Sequence, residues 1–118
     1  QIVQSVIDAG TPFNVIYAEN DDMAKGAVAA LDKANISHGV NGDVVVMGFD
    51  CNKWALEELL AGNWNYDGQC NPFQASYIDE IIKTLESGGT IAEKTIIMDE
   101  KGFDASTITQ EDVDAYGI

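Results

Sequence analysis

Short, almost continuous runs of apolar residues alternate along the chain with longer stretches in which apolar residues recur every three or four positions. The runs at 13–18 and 44–49 are rich in β-branched and aromatic side chains, a composition typical of strands buried on both faces of a parallel sheet. Residues 65–70 and 95–98 indicate a third and a fourth strand, and the third is the weakest of the four.

The intervening stretches have the periodicity of amphipathic helices. Four such helices are predicted, over 2–9, 21–34, 52–61 and 72–87. Asp21 and Asn52 are the predicted caps of the second and third helices, and Pro72 suits the first turn of the fourth. Near the end of the chain, Thr109 and Asp112 have the spacing of a capping box, which predicts a terminal helical turn.

Strand and helix alternate throughout, which predicts an α/β fold: a parallel sheet with right-handed crossovers and helices on both faces. With 118 residues and 46% apolar content, the chain has the size of one domain. The first helix has no strand before it, and the chain begins at Gln1 rather than Met. We therefore expect 1–118 to be a single α/β lobe, a fragment of a two-lobe protein that lacks its N-terminal lobe.

The charge balance excludes one class of partner. Six Lys and Arg residues stand against twenty Asp and Glu residues, a formal net charge of −14, which repels phosphate backbones and anionic lipid surfaces. We therefore expect no nucleic-acid partner. No apolar run approaches the roughly 20 residues of a membrane helix, so we also expect no direct insertion into a membrane.

Polar residues follow three successive predicted strands. Asn20 and Asp21 follow the first strand, Asp50 follows the second, and Cys70 with Asn71 follows the third. In open α/β sheets, ligands bind beyond the carboxyl ends of the strands. Carboxylates accept hydrogen bonds, and amides both donate and accept them. The set therefore suits the hydroxyl groups of a neutral sugar.

Helix capping is the competing explanation for these polar residues. Asp21 suits a helix N-terminus by capping and by its charge. Asn20 and Asp50 differ, because neither is needed as a cap where Asp21 and Asn52 already serve. Asn20 and Asp50 are therefore the strongest candidates for ligand binding, and Phe49 is a candidate for covering the C–H face of a sugar ring.

Two motifs resemble those of the ribose- and galactose-type periplasmic sugar-binding proteins. Residues 18–27, AENDDMAKGA, resemble the family segment A-x-N-D-x-M-A-x-G-A, and residues 46–50, VMGFD, resemble the V-x-G-F-D strand end. The segment 69–72, QCNP, falls where these proteins carry a short polar segment before a proline. The resemblance covers nearly the whole chain, but it represents only the second, C-terminal lobe of the family's two.

The resemblance implies a type I periplasmic-binding-protein lobe that binds its ligand without transforming it. Asn20 and Asp50 match residues that hydrogen-bond the sugar, and Phe49 matches one that flanks it. Ribose-type members have Gln where this chain has Cys70. The Cys-Asn-Pro form is more similar to the galactofuranose and related hexose branch, in which Asn71 takes the polar role.

The resemblance also implies partners and a location. The ligand is a monosaccharide, a pentose or a hexose, with the furanose form included. The protein partner is the permease subunit of an ABC transporter. The expected location is the periplasm, or the outside of the cell with a lipid anchor on the missing N-terminal part.

Other classes of protein share some of these sequence features. The effector-binding region of a lac-repressor-type transcription factor shares this fold and motifs of this kind, and it stays open as the alternative. Acidic residues at two strand ends also suggest a phosphoacceptor receiver domain. In receivers, however, a further strand and helix separate the acidic pair from the acceptor, whereas one helix separates Asp22 from Asp50 here.

An enzyme is disfavoured because the chain shows no activated nucleophile. The single histidine, His38, lies in a glycine-rich turn, where we expect it to be exposed, and it is far in sequence from both cysteines. The carboxylates lack the spacing of a Ca²⁺ loop, so we expect no metal and no other cofactor. A disulfide between Cys51 and Cys70 stays open, because the separation of their Cα atoms decides it.

Overall fold

Helices and strands alternate along residues 1–118, all of which the computed structural model describes. The elements are α1 (Ile2–Asp8), β1 (Val15–Tyr17), α2 (Asp21–Lys33), β2 (Val45–Asp50), α3 (Lys53–Leu60), β3 (Tyr66–Gln69), α4 (Ala75–Glu86), β4 (Gly102–Asp104) and α5 (Gln110–Tyr116). They form two compact units. The first unit is Gln1–Cys70 with Lys101–Ile118, and the second is Asn71–Glu100. None of the helices is long and apolar enough to cross a membrane.

The first unit is built on a four-stranded sheet in the order β1-β2-β3-β4. β1 and β2 are parallel, with Val15 opposite Val45, and β2 and β3 are parallel, with Gly48 opposite Asp67. The prediction of parallel pairing is confirmed for these three strands, and β2 is central as its apolar run indicates. β4 pairs antiparallel with β3, so the complete sheet is mixed.

The predicted strand at 95–98 is wrong. These residues form no strand, and the fourth strand of the sheet begins instead at Gly102. Ile97 is 87% exposed. A short apolar run becomes a strand only when a neighbouring strand pairs with it, and the pairing position beside β3 is taken by β4.

Helices α2 and α3 pack against one face of the sheet. Val46 and Asp67 are fully buried on that face. On the opposite face, Val15 is 52% exposed and Tyr17 is 63% exposed. The prediction that β1 is buried on both faces is therefore wrong, since both of these side chains are exposed.

The hydrophobic core lies between this covered face and the helices. Its largest apolar side chains with almost no exposure are Trp64, Leu31, Leu56, Leu59, Val44, Val46 and Val113. Trp64 also meets Trp54 edge to face, with their ring centroids 5.9 Å apart. Each fully buried side chain of this size stabilises the fold by about 1.5 to 3 kcal/mol. The polar residues at the ends of β1 and β2, Asn20 and Asp50, are thus carried by a well-packed part of the fold.

The second unit contains α4, which begins later than its sequence suggests. Pro72 is not in the first turn of this helix, since α4 starts at Ala75. The N–H of Phe73 donates to Asn71 Oδ1 at 2.8 Å, and the N–H of Gln74 donates to the carbonyl oxygen of Pro72 at 2.9 Å. These bonds form a separate turn that delays the helix.

The last helix, α5, begins as its sequence predicts. The N–H of Asp112 donates to Thr109 Oγ1 at 3.2 Å, and the N–H of Thr109 donates to Asp112 Oδ2 at 3.0 Å. This reciprocal pair is a capping box. The prediction is therefore confirmed, and α5 packs against α3 in the first unit.

Candidate functional site

The carboxyl ends of β1 and β2 lie side by side. The N–H of Ala18 donates to the carbonyl oxygen of Met47 at 3.0 Å, which extends the ladder just past the end of β1. Asn20 follows two residues later, and Asp50 is the last residue of β2. Because neighbouring strands are about 4.8 Å apart, the two predicted ligand-binding residues leave the sheet at the same end.

Asn20 is the N-cap of α2, which corrects one step of the sequence argument. Its Oδ1 accepts a hydrogen bond from the N–H of Met23 at 2.8 Å, whereas Asp21, the predicted cap, is the first residue of the helix itself. Capping uses only the oxygen of the Asn20 side chain. The Nδ2 group makes no hydrogen bond within the chain, so it can still donate to a ligand.

Asp21 is fully buried and joins the start of α2 to the turn after β2. Its Oδ2 accepts hydrogen bonds from the backbone N–H of Asn52 at 2.8 Å and from Asn52 Nδ2 at 3.1 Å. Asn52, the other predicted cap, makes no side-chain capping bond to α3. These bonds hold the segments that carry Asn20 and Asp50 next to each other.

Asp50 and Cys51 have unusual backbone conformations. The angle φ is 127° at Asp50 and 62° at Cys51, a region that residues other than glycine rarely adopt. Such strain costs about 1 to 3 kcal/mol per residue and concentrates at functional sites. The carboxylate of Asp50 is partly exposed and makes no hydrogen bond within the chain. Its oxygens are therefore available to a ligand.

The ring of Phe49 packs among other aromatic rings. Its centroid lies 5.1 Å from that of Tyr17 and 6.3 Å from that of Tyr66. The ring also covers Gly68, since a Cβ atom at that position would lie 2.5 Å from it. Phe49 is half-buried, so only part of the ring is open to a ligand.

Cys70 and Asn71 fall in different units. Cys70 is exposed and ends the first segment of the first unit. It follows Gln69, which lies in register with Asp50, so the end of β3 adjoins the end of β2. Asn71 belongs to the second unit, where its Oδ1 accepts from Phe73. Ligand binding by Cys70 or Asn71 stays a prediction.

Sequence reasoning missed Asp67, which lies in the middle of β3. Its side chain is fully buried, and its carboxyl group lies within hydrogen-bonding reach of that of Asp21. Burial, with the negative charge of Asp21, raises the pKa of Asp67 to about 8. Burial also raises the pKa of Asp21. The only signal in the sequence was an acidic residue inside a predicted strand, since Asp is almost never fully buried unless it is paired.

Cys51 lies beside this pair of carboxyl groups. Its thiol donates to Asp67 Oδ1 across 3.9 Å. Burial, followed by the negative charges of Asp67, Asp21 and Asp50, raises the pKa of Cys51 far above its ordinary value, so the group remains a thiol. Both cysteines are free, Cys51 being buried and Cys70 exposed, and the disulfide left open by the sequence is not formed.

His38 is not exposed as predicted. Its side chain is only 12% exposed, with Nδ1 at 2.9 Å from the carbonyl oxygen of Asn63 and Nε2 at 3.0 Å from Asp32 Oδ1. These contacts fasten the turn between α2 and β2 to the end of α3. The glycine-rich sequence around His38 predicts a solvated turn, because the local pattern does not reveal that Asn63 and Asp32 contact the imidazole ring.

The chain is similar to proteins that bind sugars for import. It is 35% identical over 92 residues to the fructose import binding protein FruE of Bifidobacterium longum, a match that covers 78% of this chain and 27% of that protein. The crystal structure of a galactofuranose binding protein matches with a TM-score of 0.84 and 23% identity, over 98% of this chain and 39% of that chain.

A further structural match is the periplasmic binding protein component of the arabinose ABC transporter from Shewanella sp. ANA-3, bound to arabinofuranose. Its TM-score is 0.80 at 22% identity, over 97% of this chain and 36% of that chain. No protein-family profile matches the chain.

The chain has the α/β fold of one lobe of the type I periplasmic binding proteins, as its sequence predicts. In sequence it is similar to a fructose import binding protein, and in fold it is similar to structures of sugar-binding proteins. It spans 27% to 39% of the length of the relatives described above.

Proposed function

We propose that this chain is the C-terminal lobe of the solute-binding component of an ABC sugar importer, and that a monosaccharide binds in the cleft between this lobe and an N-terminal one. The observation that carries the proposal is the pair Asn20 and Asp50. An amide donor and a carboxylate acceptor, both without partners, stand at the ends of two paired parallel strands. A donor beside an acceptor matches sugar hydroxyl groups, each of which donates and accepts.

The charge around this pair favours a neutral ligand. Asp50 adds negative charge at the strand ends, and the buried Asp21 and Asp67 lie behind it. No basic residue is among the charged and hydrogen-bonding neighbours of these two buried carboxyl groups. A sugar phosphate or sugar acid would meet this negative charge without a compensating cation, whereas a neutral monosaccharide would not.

Sugars that form five-membered rings are the first candidates for the ligand. The named relatives bind or import fructose, galactofuranose and arabinofuranose, which supports a furanose ligand here. In this proposal Phe49 offers the exposed part of its ring to the C–H face of the sugar. Cys70 and Asn71 contact the part of the sugar that distinguishes one furanose from another.

In this proposal, closure of the two lobes over the sugar creates the form that the permease recognises. The protein works in the periplasm, or outside the cell with a lipid anchor. The ligand is released unchanged, which the chemistry of the site supports. The Cys51 thiol is buried with a raised pKa, and His38 is engaged by Asn63 and Asp32, so neither provides an activated nucleophile.

Isothermal titration calorimetry on the full-length protein tests this function, with fructose, galactose, arabinose and ribose as ligands. We expect micromolar or tighter binding of at least one of them. Asn20→Ser retains an oxygen that can cap α2 but lacks the amide donor, so we expect near-normal stability and at least about tenfold weaker binding.

Asn20→Ala is the matched variant that removes both groups. We expect it to bind as weakly as Asn20→Ser and also to lose about 1 kcal/mol of stability. Unchanged affinity in both variants would remove Asn20 from the site. A full-length protein that binds none of the four sugars would overturn the proposed function.

A further inference from the structure

Two buried carboxyl groups in the first unit each carry an oxygen without a partner. Asp21 and Asp67 are both 0% exposed. Asp21 Oδ2 accepts from Asn52 and Asp67 Oδ1 accepts from Cys51, but Asp21 Oδ1 and Asp67 Oδ2 have no hydrogen-bond partner. A buried polar atom without a partner is strongly unfavourable. Two such atoms in one place therefore call for a physical explanation.

The carboxyl group of Asp21 lies beside Gly48, and Asp67 lies on the same face of the sheet. A Cβ atom on Gly48 would lie 2.6 Å from Asp21 Oδ1 and 2.7 Å from the ring of Trp64. Asp67 is paired with Gly48 across β2 and β3, and residues paired in a sheet point to the same face. The two side chains lie within hydrogen-bonding reach of each other. The lack of a side chain at Gly48 is what makes room for this approach.

We propose that Asp21 and Asp67 share a single proton in an O–H···O hydrogen bond, and that this bond makes Asp67 a positioning residue for the sugar site. Both carboxyl groups cannot be ionised at this separation in a buried place. One proton satisfies both orphaned oxygens at once, because a protonated carboxyl group donates while the other accepts. The remaining negative charge is held by the two donors of Asn52 on Asp21.

The charged and titratable groups around the pair reinforce this arrangement. Asp50 faces it from the end of β2, and its charge opposes the loss of the proton. The thiol of Cys51 faces Asp67 from the turn that follows. Asn52 contributes only neutral donors. With no cation among these neighbours, a proton is the species that neutralises the second carboxyl group.

The shared proton connects the three strand ends of the proposed site. Asp21 follows Asn20, and its hydrogen bonds to Asn52 fix the turn that begins at Asp50. Asp67 lies in β3, so the proton that it shares with Asp21 joins the third strand to the other two. The proposal therefore rests on the proposed sugar-binding function and extends it by naming the group that aligns Asn20 with Asp50.

The raised pKa of Asp67, about 8 against an ordinary 3.8, fixes the direction of the pH effect. Between these values the folded protein holds a proton that the unfolded chain has lost. The stability that this bound proton contributes is therefore fully present below about pH 4. It is lost as the pH rises through the pKa of Asp67 in the folded protein. Above that value two negative charges oppose each other in the buried space, and we expect the alignment of the site to loosen.

The test measures fructose affinity and the urea midpoint of unfolding of the full-length protein between pH 5 and pH 9. We expect the wild-type affinity to fall by up to about tenfold between pH 7 and pH 9, as the bound proton is lost. We expect the urea midpoint to fall from pH 5 to about pH 8 and then to level off. Asp67→Asn keeps the shape and supplies a permanent N–H donor to Asp21. We expect it to bind with little dependence on pH above 6 and to have a flatter stability profile.

Glu57→Gln is the matched control, because it makes the same change from carboxyl to amide at an exposed position of α3. We expect its pH profiles to follow those of the wild type. Parallel profiles for Asp67→Asn and the wild type would overturn the shared proton. If the wild type binds no sugar but the stability profiles differ as expected, the proposed function fails and the shared proton stands.

A measurement on the wild type covers the case in which Asp67→Asn does not fold. The ¹³C carboxyl signals of labelled aspartates can be followed by NMR as the pH is raised. We expect one aspartate signal to titrate near pH 8, as the pKa of Asp67 requires. If every aspartate signal titrates below pH 5, no proton is shared and the proposal is wrong.

Discussion

Asp21 Oδ2 accepts two hydrogen bonds from a single residue, Asn52, at 2.8 Å from its backbone nitrogen and 3.1 Å from its side-chain amide. The start of α2 is thereby fastened to the turn after β2. Hydrogen bonds to a buried charged acceptor are stronger than neutral ones, at about 1.5 to 3 kcal/mol each. This contact helps to hold Asn20, at the start of α2, close to Asp50, at the end of β2.

Replacing Asn52 with Ala removes the side-chain donor and leaves the backbone donor in place. We expect Asn52→Ala to lower the free energy of unfolding by about 1.5 to 3 kcal/mol, because the buried Asp21 carboxylate loses one of its two donors. Urea denaturation at pH 7 measures the change. Asn63→Ala removes an exposed side-chain bond to Glu58 and serves as the control, with an expected loss below about 0.5 kcal/mol. Equal losses of unfolding free energy in the two variants would show that the bond from Asn52 to Asp21 stabilises the protein no more than an exposed bond does.

Gly48 cannot accept a side chain without displacing its neighbours. We expect Gly48→Ala to destabilise the protein by about 1 to 3 kcal/mol, since the new Cβ would meet Asp21 and Trp64 at 2.6 and 2.7 Å. Gly26→Ala is the matched control. It lies inside α2 with nothing within 4 Å of its Cβ position, and we expect a gain of about 0.5 to 1 kcal/mol. Thermal unfolding of both variants checks the difference in sign.

Asp50 adopts a backbone conformation that glycine tolerates better. We expect Asp50→Gly to raise the free energy of unfolding by up to about 1 kcal/mol, because the strain at φ 127° is relieved. The same variant should lose sugar binding by at least about tenfold, since the carboxylate is removed. Denaturation and calorimetry on one preparation measure both quantities. A variant that keeps its affinity would show that Asp50 does not contact the ligand.

The sequence predicts best those parts of the fold that depend on local patterns. The long amphipathic period of α2 and the unbroken apolar run of β2 both correspond to the observed elements. The capping box of Thr109 and Asp112 is a local exchange of hydrogen bonds, and it is also observed. β4 could not be predicted in this way, because its three residues become a strand only by pairing with β3.

The candidate site is predictable in its location and less so in its detailed contacts. Polar residues at the strand ends point to Asn20 and Asp50, but the assignment of caps was shifted by one residue at Asn20 and Asp21. Neighbouring Asn and Asp residues cap helices equally well, so sequence cannot decide between them. The meeting of Asp67 with Asp21 depends on how β3 lies beside β2, which no local pattern contains.

The indole of Trp64 and the carboxyl group of Asp21 both lie beside Gly48, and the indole is almost completely shielded from water. The energy of an indole excited state depends on the electric field across the ring. The colour of the light emitted by Trp64 therefore depends on the charge held beside Gly48. The fluorescence of Trp64 is therefore an optical reporter of the charge on the carboxyl groups of Asp21 and Asp67.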